Sequence, residues 1–435
     1  MGVPVNKLES LRRILGNFAG GKLQSGPINI DFLGQIGAVR AKLGPGDIRG
    51  VNQAGMEGVH SLCETLIKEP AYSRGSNFDE LVDVVLRLVL DQFYDERPAK
   101  VGEAEVAALE ARLSAWLREG AADRILFLPC MLARTPTADF GIGPIRFQNA
   151  ETFIAEVAVP NFNEHGVERL TRDMRQAGAT WIAHVPVPDC REAPGWHLAE
   201  VGVDLALAGL QLIVPLKNSE WMARLHGRPR SGRVIRLGII NDRYETSFQN
   251  REPGRTLGAG AFEKYLSSDP EVLAAIGRRV ASFLDGSIAN SLLDRAWCDA
   301  AYWFHGGLAE PLGSLAVPML ETAIEVLLGA GSSAGGERRL IDAIWAFYGL
   351  AADGPINPTS HLTVKQFAHR FVEERSRILH GTRSTLQSQL GTSRDILAEL
   401  TADFLRCYAV SLDRYRASGA ARDDIQSFLD WIRPH

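Results

Sequence analysis

Toward the end of the chain Arg375 and His380 stand five positions apart, with Gly381 immediately after the histidine. A glycine directly behind a helical run is a stop signal, so the spacing predicts a helix that ends at His380. Exposed carbonyls and the negative end of the helix dipole favour a protonated imidazole there, and such a histidine titrates near neutral pH. That is the property a general acid or base needs. Arg370, Arg375 and Arg377, with Lys365 on the same helix, keep their charge, and an arginine grips a phosphate through two parallel hydrogen bonds. Together these groups suit attack of a ribose 2′-hydroxyl on an RNA phosphodiester. One group moves the proton and another stabilises charge building on the phosphate. That route calls for no metal or cofactor. Five residues, however, turn through about 140° of an ideal helix, so Arg375 and His380 do not converge on one straight helix. Arg377, three residues from His380, lies closer to its face. A site completed across a two-fold dimer removes the difficulty.

Other combinations are weaker. His369 and Glu373 are four apart, but no third ligand follows at metal spacing. Cys190, Asp189, His184 and His197 include the residue types of a cysteine nucleophile site, yet Pro186, Pro188 and Pro194 mark a loop instead. The GxG of Phe140-Gly141-Ile142-Gly143 lacks the rest of a dinucleotide loop and reads as a hairpin. The run from Arg224 to Arg233 is the densest basic cluster, either solvated surface or a contact for RNA phosphates.

The elements that must position the Arg375 helix follow from periodicity and punctuation. Asn77, with Glu80 three residues on, reads as a helix start, and Leu81, Val84, Val85, Leu88, Val89 and Phe93 continue at helical spacing. A second helix is expected over 103–119. Strands are expected at 124–128, 140–147, 152–159, 180–187 and 233–240, with helices at 167–176 and 196–214. Beyond Gly260 strand signals stop, and helices are expected at 261–284, 289–305, 314–328, 340–348, 364–380 and 384–415. The reading is an α+β chain: an N-terminal helical segment (1–122), a mixed α/β region (123–255) and an all-α bundle (261–435).

With 435 residues, 46% hydrophobic and 23% charged, the chain has material for more than one core. A net charge of −5 excludes a protein that coats nucleic acid through a global basic field. The five cysteines form no CxxC pair, which argues against a zinc site or a disulfide framework. Residues 1–20 lack an apolar signal core, and the longest apolar run, 201–215, is interrupted by Asp204 and Gln211. A soluble cytoplasmic protein without membrane contact is expected.

The string Arg375-Ser376-Arg377-Ile378-Leu379-His380-Gly381 resembles the R-x4-H signature of HEPN ribonucleases. It is most similar to the Apea-like branch, where an RSxxxHG string ends a helix. Upstream, the segment from Met319 to Leu328, with Glu321 in it, resembles that branch's LE-x-L-L helix. A glycine-rich loop and then the arginine-bearing helix follow, so the resemblance spans roughly residues 285–420. It implies an all-helical HEPN bundle that homodimerises with two motifs facing each other. The implied activity is that of a metal-independent endoribonuclease, a hydrolase of antiviral-defence or toxin systems that answers to a trigger such as a phage product. By carry-over Arg375 stabilises the phosphate, His380 handles the proton, and Ser376, Arg377 and Glu321 support them. Many HEPN nucleases have Asn, Asp or His where Ser376 stands, although Apea-like members commonly have serine. The competing reading is a non-catalytic HEPN module for dimerisation or RNA binding. In it His380 only caps a helix and the arginines form a solvated face.

Overall fold

A computed structural model describes residues 7–22, 47–133, 138–157, 164–225, 227, 233–240, 242–250, 260–330, 333–356, 361–379, 391–420 and 422–433. The chain divides into two compact units, the first being Met1–Arg124 with Pro188–Leu198 and the second Ile125–Val187 with Ala199–His435.

In the first unit, α1 (Lys7–Gly16) precedes the antiparallel pair β1 (Phe18–Lys22) and β2 (Asp47–Val51). Four helices follow: α2 (Gln53–Leu66), α3 (Pro70–Gly75), α4 (Phe78–Phe93) and α5 (Glu103–Glu119). Helix α4 forms as the spacing predicts. Asn77 accepts the Glu80 backbone N–H at 2.7 Å, and all six apolar positions named above are buried. The Glu80 carboxylate does not return to Asn77; it pairs with Arg191 at 2.8 Å, and that guanidinium stacks 4.2 Å above the Trp116 ring.

In the second unit, β3 (Ala122–Met131), β4 (Phe140–Ile142), β5 (Ile145–Asn149), β6 (Trp181–Cys190) and β7 (Ala223–Arg224) form one sheet, ordered β4-β5-β6-β3-β7. The expected hairpin at 140–147 is β4–β5, turning at Gly143 with φ +57°. Around the sheet run α6 (Ala150–Val157), α7 (Glu164–Ala177), α8 (Glu192–Ile213) and the short α9 (Leu216–Ser219). Segment 152–159 was expected to be a strand, but its described part belongs to α6. Ala150, Phe153, Ile154 and Val157 repeat at three and four residues, and Asn149 accepts the Glu151 N–H at 3.0 Å to start the turn. By length and composition α8 is apolar enough to cross a membrane, contrary to the sequence expectation, yet 67% of its apolar window is buried inside the protein. Among the described residues, strands β8 (Arg233–Ile240) and β9 (Arg243–Asn250) pair only with each other.

The helical part contains α10 (Ala261–Ser268), α11 (Pro270–Asp285), α12 (Leu292–Ala309), α13 (Gly313–Leu327), α14 (Ser333–Tyr348), α15 (Val364–Leu379), α16 (Gly391–Ala417) and α17 (Ile425–Ile432). The expected helix at 261–284 is two helices, because Pro270 opens a new first turn and Asp269 caps it by accepting the Val272 N–H at 3.3 Å. Helix α12 packs on α13 and α16, α13 on α15 and α16, and α14 on α15 and α17. Trp297, Phe304, Leu320, Phe404, Tyr408 and Leu412 fill the space between them. The large helical region beside a small sheet makes the chain α+β. The connector at 251–260, taken as the boundary before the bundle, lies outside the described residues except for Gly260.

Candidate active site

Helix α15 starts with a reciprocal cap. Thr363 Oγ1 accepts the Gln366 N–H at 3.2 Å, and Gln366 Oε1 accepts the Thr363 N–H at 3.1 Å. From there Val364, Ala368, Phe371 and Ile378 form the buried stripe. Their spacing of four and three residues skips one turn, and Arg375 occupies the skipped position in the backbone register, between Phe371 and Ile378. Ser376 follows half-buried, and the helix runs to Leu379. His380 and Gly381 come next in the chain and lie outside the described residues.

Two neighbouring helices bring acidic residues. Helix α13, which packs against α15, carries Glu321 at 0% exposure. A carboxylate removed from water in this way carries a heavy desolvation cost, which a counter-charge offsets. Helix α14 contributes Glu337, whose Oε2 is 3.2 Å from His369 Nδ1. His369 therefore meets Glu337 on another helix, where the sequence suggested Glu373. Glu373 instead accepts from Arg377 Nη2 at 2.7 Å, an exposed pair one turn apart. Such pairs contribute a few tenths of a kcal/mol. Of the proposed site residues, the described structure brings the helices of Glu321 and Arg375 together and leaves Arg377 at the surface.

A second constellation escaped the sequence reading. Asp204, Gln211 and His305 are all buried, and Arg224 joins them. His305 Nδ1 lies 2.9 Å from Gln211 Oε1 and its Nε2 lies 3.9 Å from Asp204 Oδ1. Arg224 Nε donates to Asp204 Oδ1 at 3.0 Å and reaches Glu200 at 3.5 Å. Asp204 and Gln211 are seven apart, two turns on one face of α8, and that spacing was the available signal. Enclosure keeps substrate out, so this network cross-links α8, α12 and β7. It also accounts for the first member of the Arg224–Arg233 run; His226 and residues 228–232 lie outside the described residues.

The remaining sequence candidates resolve into structure. Burial raises the Cys190 thiol pKa, the opposite of what a nucleophile needs, and its Sγ sits 3.5 Å from the Arg74 carbonyl. His184 is wedged edge-on against Phe127 and Phe153. Among the described residues no group of three or more His, Cys, Asp or Glu side chains gathers to hold a metal. Comparison of the chain with protein-family models, with curated proteins and with solved structures finds no match.

Proposed function

We propose that this chain is a metal-independent endoribonuclease of HEPN type, an effector of antiviral defence or a toxin that cuts RNA by 2′-hydroxyl attack. In this reading His380 takes the proton from the attacking 2′-hydroxyl. The new 2′-O–P bond forms as the bond to the 5′-oxygen breaks, leaving a 2′,3′-cyclic phosphate and a 5′-hydroxyl that takes its proton from solvent. Arg375 stabilises the charge on the phosphoryl oxygens, Glu321 orients Arg375, and Ser376 and Arg377 support the phosphate. The two motifs of a homodimer complete the site, which resolves the ~140° separation on one helix. The regions before the bundle sense the trigger or restrain the nuclease.

One observation carries the reading. The helix that carries Arg375 runs to Leu379, directly before His380-Gly381, and packs against the helix that buries Glu321. The test compares wild type with His380→Ala and Arg375→Ala for RNA cleavage, both purified with EDTA present and in cells expressing the protein. Removing a general base costs about 10²–10⁴-fold, so each substitution is expected to abolish detectable cleavage while EDTA leaves it intact. Cleavage that survives His380→Ala, or that stops with EDTA, sinks the mechanism. RNA binding by a dimer that never cuts would favour the non-catalytic module.

A further inference from the structure

The β8–β9 hairpin exposes side chains that folded proteins usually cover. Leu237 is 77% exposed, Ile239 63%, Tyr244 90% and Phe248 71%. The antiparallel register sets Ile239 opposite Tyr244 and Leu237 opposite Thr246, and directly opposed residues share a face. One side of the ribbon is therefore apolar, while Arg243, Glu245 and Ser247 fall in the alternate register. A lone two-stranded ribbon is marginal in water, and further strands that extend its apolar face stabilise it.

The free edge decides what can extend it. In an antiparallel ladder every second residue of β9 turns its N–H and C=O away from β8, and among the described residues no other strand takes them up. Natural proteins blunt such edges with proline, lysine, a bulge or a very short strand. Residues 233–250 contain neither proline nor lysine, and the eight residue pairs from Arg233↔Asn250 to Ile240↔Arg243 run without a bulge. Gly238 lies within β8 and weakens that edge. Strand β9 instead alternates the good strand formers Tyr244, Thr246 and Phe248 with polar residues.

Charge and register select the occupant. Among the described side chains of the hairpin, Arg243 stands against Asp242 and Glu245, which leaves no cationic surplus for a polyanion or an anionic membrane. A second β9 fits this edge. Two copies laid antiparallel about a two-fold axis at Thr246 overlap along almost the whole strand. Tyr244 then lies opposite the partner's Phe248, Thr246 opposite the partner's Thr246, and Glu245 opposite the partner's Ser247. Cross-strand aromatic and Thr–Thr pairs are favourable, and no like charges meet. An axis at Glu245 would set two carboxylates directly opposite each other, which is unfavourable.

We propose that β9 pairs with β9 of a second copy of this chain, joining the two hairpins into one four-stranded antiparallel sheet with a continuous apolar face. Neither Glu321, Arg375 nor His380 lies on this hairpin, so the contact stands whether or not the chain cuts RNA.

The experiment follows the full-length protein by sedimentation velocity. Wild type is expected to dimerise at micromolar concentration. Thr246→Lys and Thr246→Glu each set like charges against each other at the axis, so each alone should weaken the dimer by about tenfold or more. An equal mixture of the two variants should recover it, because lysine then meets glutamate. With diamide as oxidant, Thr246→Cys should give a disulfide-linked dimer, since opposed strand residues lie about 5.5 Å apart. Glu245→Cys should not, because its two copies sit two residues out of register. Thr246 is exposed, so far-UV circular dichroism of the variants should match wild type. A monomeric wild type, a dimer that both charge variants keep, or a mixture that stays monomeric overturns the proposal. So does Thr246→Cys that cross-links no better than Glu245→Cys. A monomer whose binding to phosphatidylcholine vesicles is lost on Tyr244→Ala would make lipid the occupant and overturn it as well.

Discussion

Arg279 is 2% exposed and bridges two carboxylates in the helical part. Its Nη2 donates to Asp413 Oδ1 at 2.7 Å, while its Nε lies 2.7 Å from Asp294 Oδ1 in a close ion pair not aligned as a hydrogen bond. At an effective dielectric of about 20, unit charges ~4 Å apart attract by ~4 kcal/mol, most of it offset by desolvation. Breaking a buried pair by removing one partner nevertheless costs about 3–5 kcal/mol, because a charge is stranded. Here both carboxylates keep a second arginine, Arg416 at 2.8 Å from Asp294 and Arg278 on Asp413. Arg279→Met is therefore expected at the lower end, a loss of about 3 kcal/mol. In a unit of this size that lowers the melting temperature by roughly 4–6 °C. Urea and thermal unfolding followed by tryptophan fluorescence would measure it. Adding Asp294→Asn should recover about 1–2 kcal/mol, since it removes the poorly solvated charge and releases only the half-exposed Arg416. A single-variant loss under ~1 kcal/mol, or a double variant weaker than the single, would refute the reasoning.

Two further outcomes are expected. A Cβ on Gly143 would meet the Gly277 carbonyl oxygen at 2.3 Å, where φ is already +57°. Gly143→Ala should thus cost about 2–4 kcal/mol in urea unfolding, whereas Gly178→Ala, with φ +72° and nothing within 4 Å, should cost only the backbone strain of about 1 kcal/mol. Burial, reinforced by Arg146, holds the His184 imidazole below its ordinary value of 6.5. The folded state then binds fewer protons than the unfolded state on the acid side of 6.5, so this contribution is full above that pH and is lost as pH falls through it toward the folded value. Titrating stability from pH 8 to 5 should show a decline that His184→Phe flattens; equal slopes would exclude His184 as its source.

Local chemistry made much of the fold legible. Asn77 with its apolar repeat marked α4, Gly143 marked the β4–β5 turn, and Val364 through Ile378 marked α15. The departures are also local: period-three-and-four spacing builds α6 where a strand is expected, and the Asp269-Pro270 cap divides a helix expected to be continuous. Strand β9 is not among the expected strands, although Tyr244, Thr246 and Phe248 alternate with charged and polar residues.

By itself the sequence determined where Arg375 and His380 stand, that a helix carries the arginine, and that the angle between them calls for a second protomer if they act together. Caps, glycines and apolar periodicity act within a few residues, so the chain displays them directly. Tertiary packing alone decided that the helix burying Glu321 lies against α15, that Arg377 pairs with Glu373, and that His305 meets Gln211 and Asp204 about a hundred residues away. Those outcomes depend on which faces meet once water is excluded, and burial then selects the partner each charge must have.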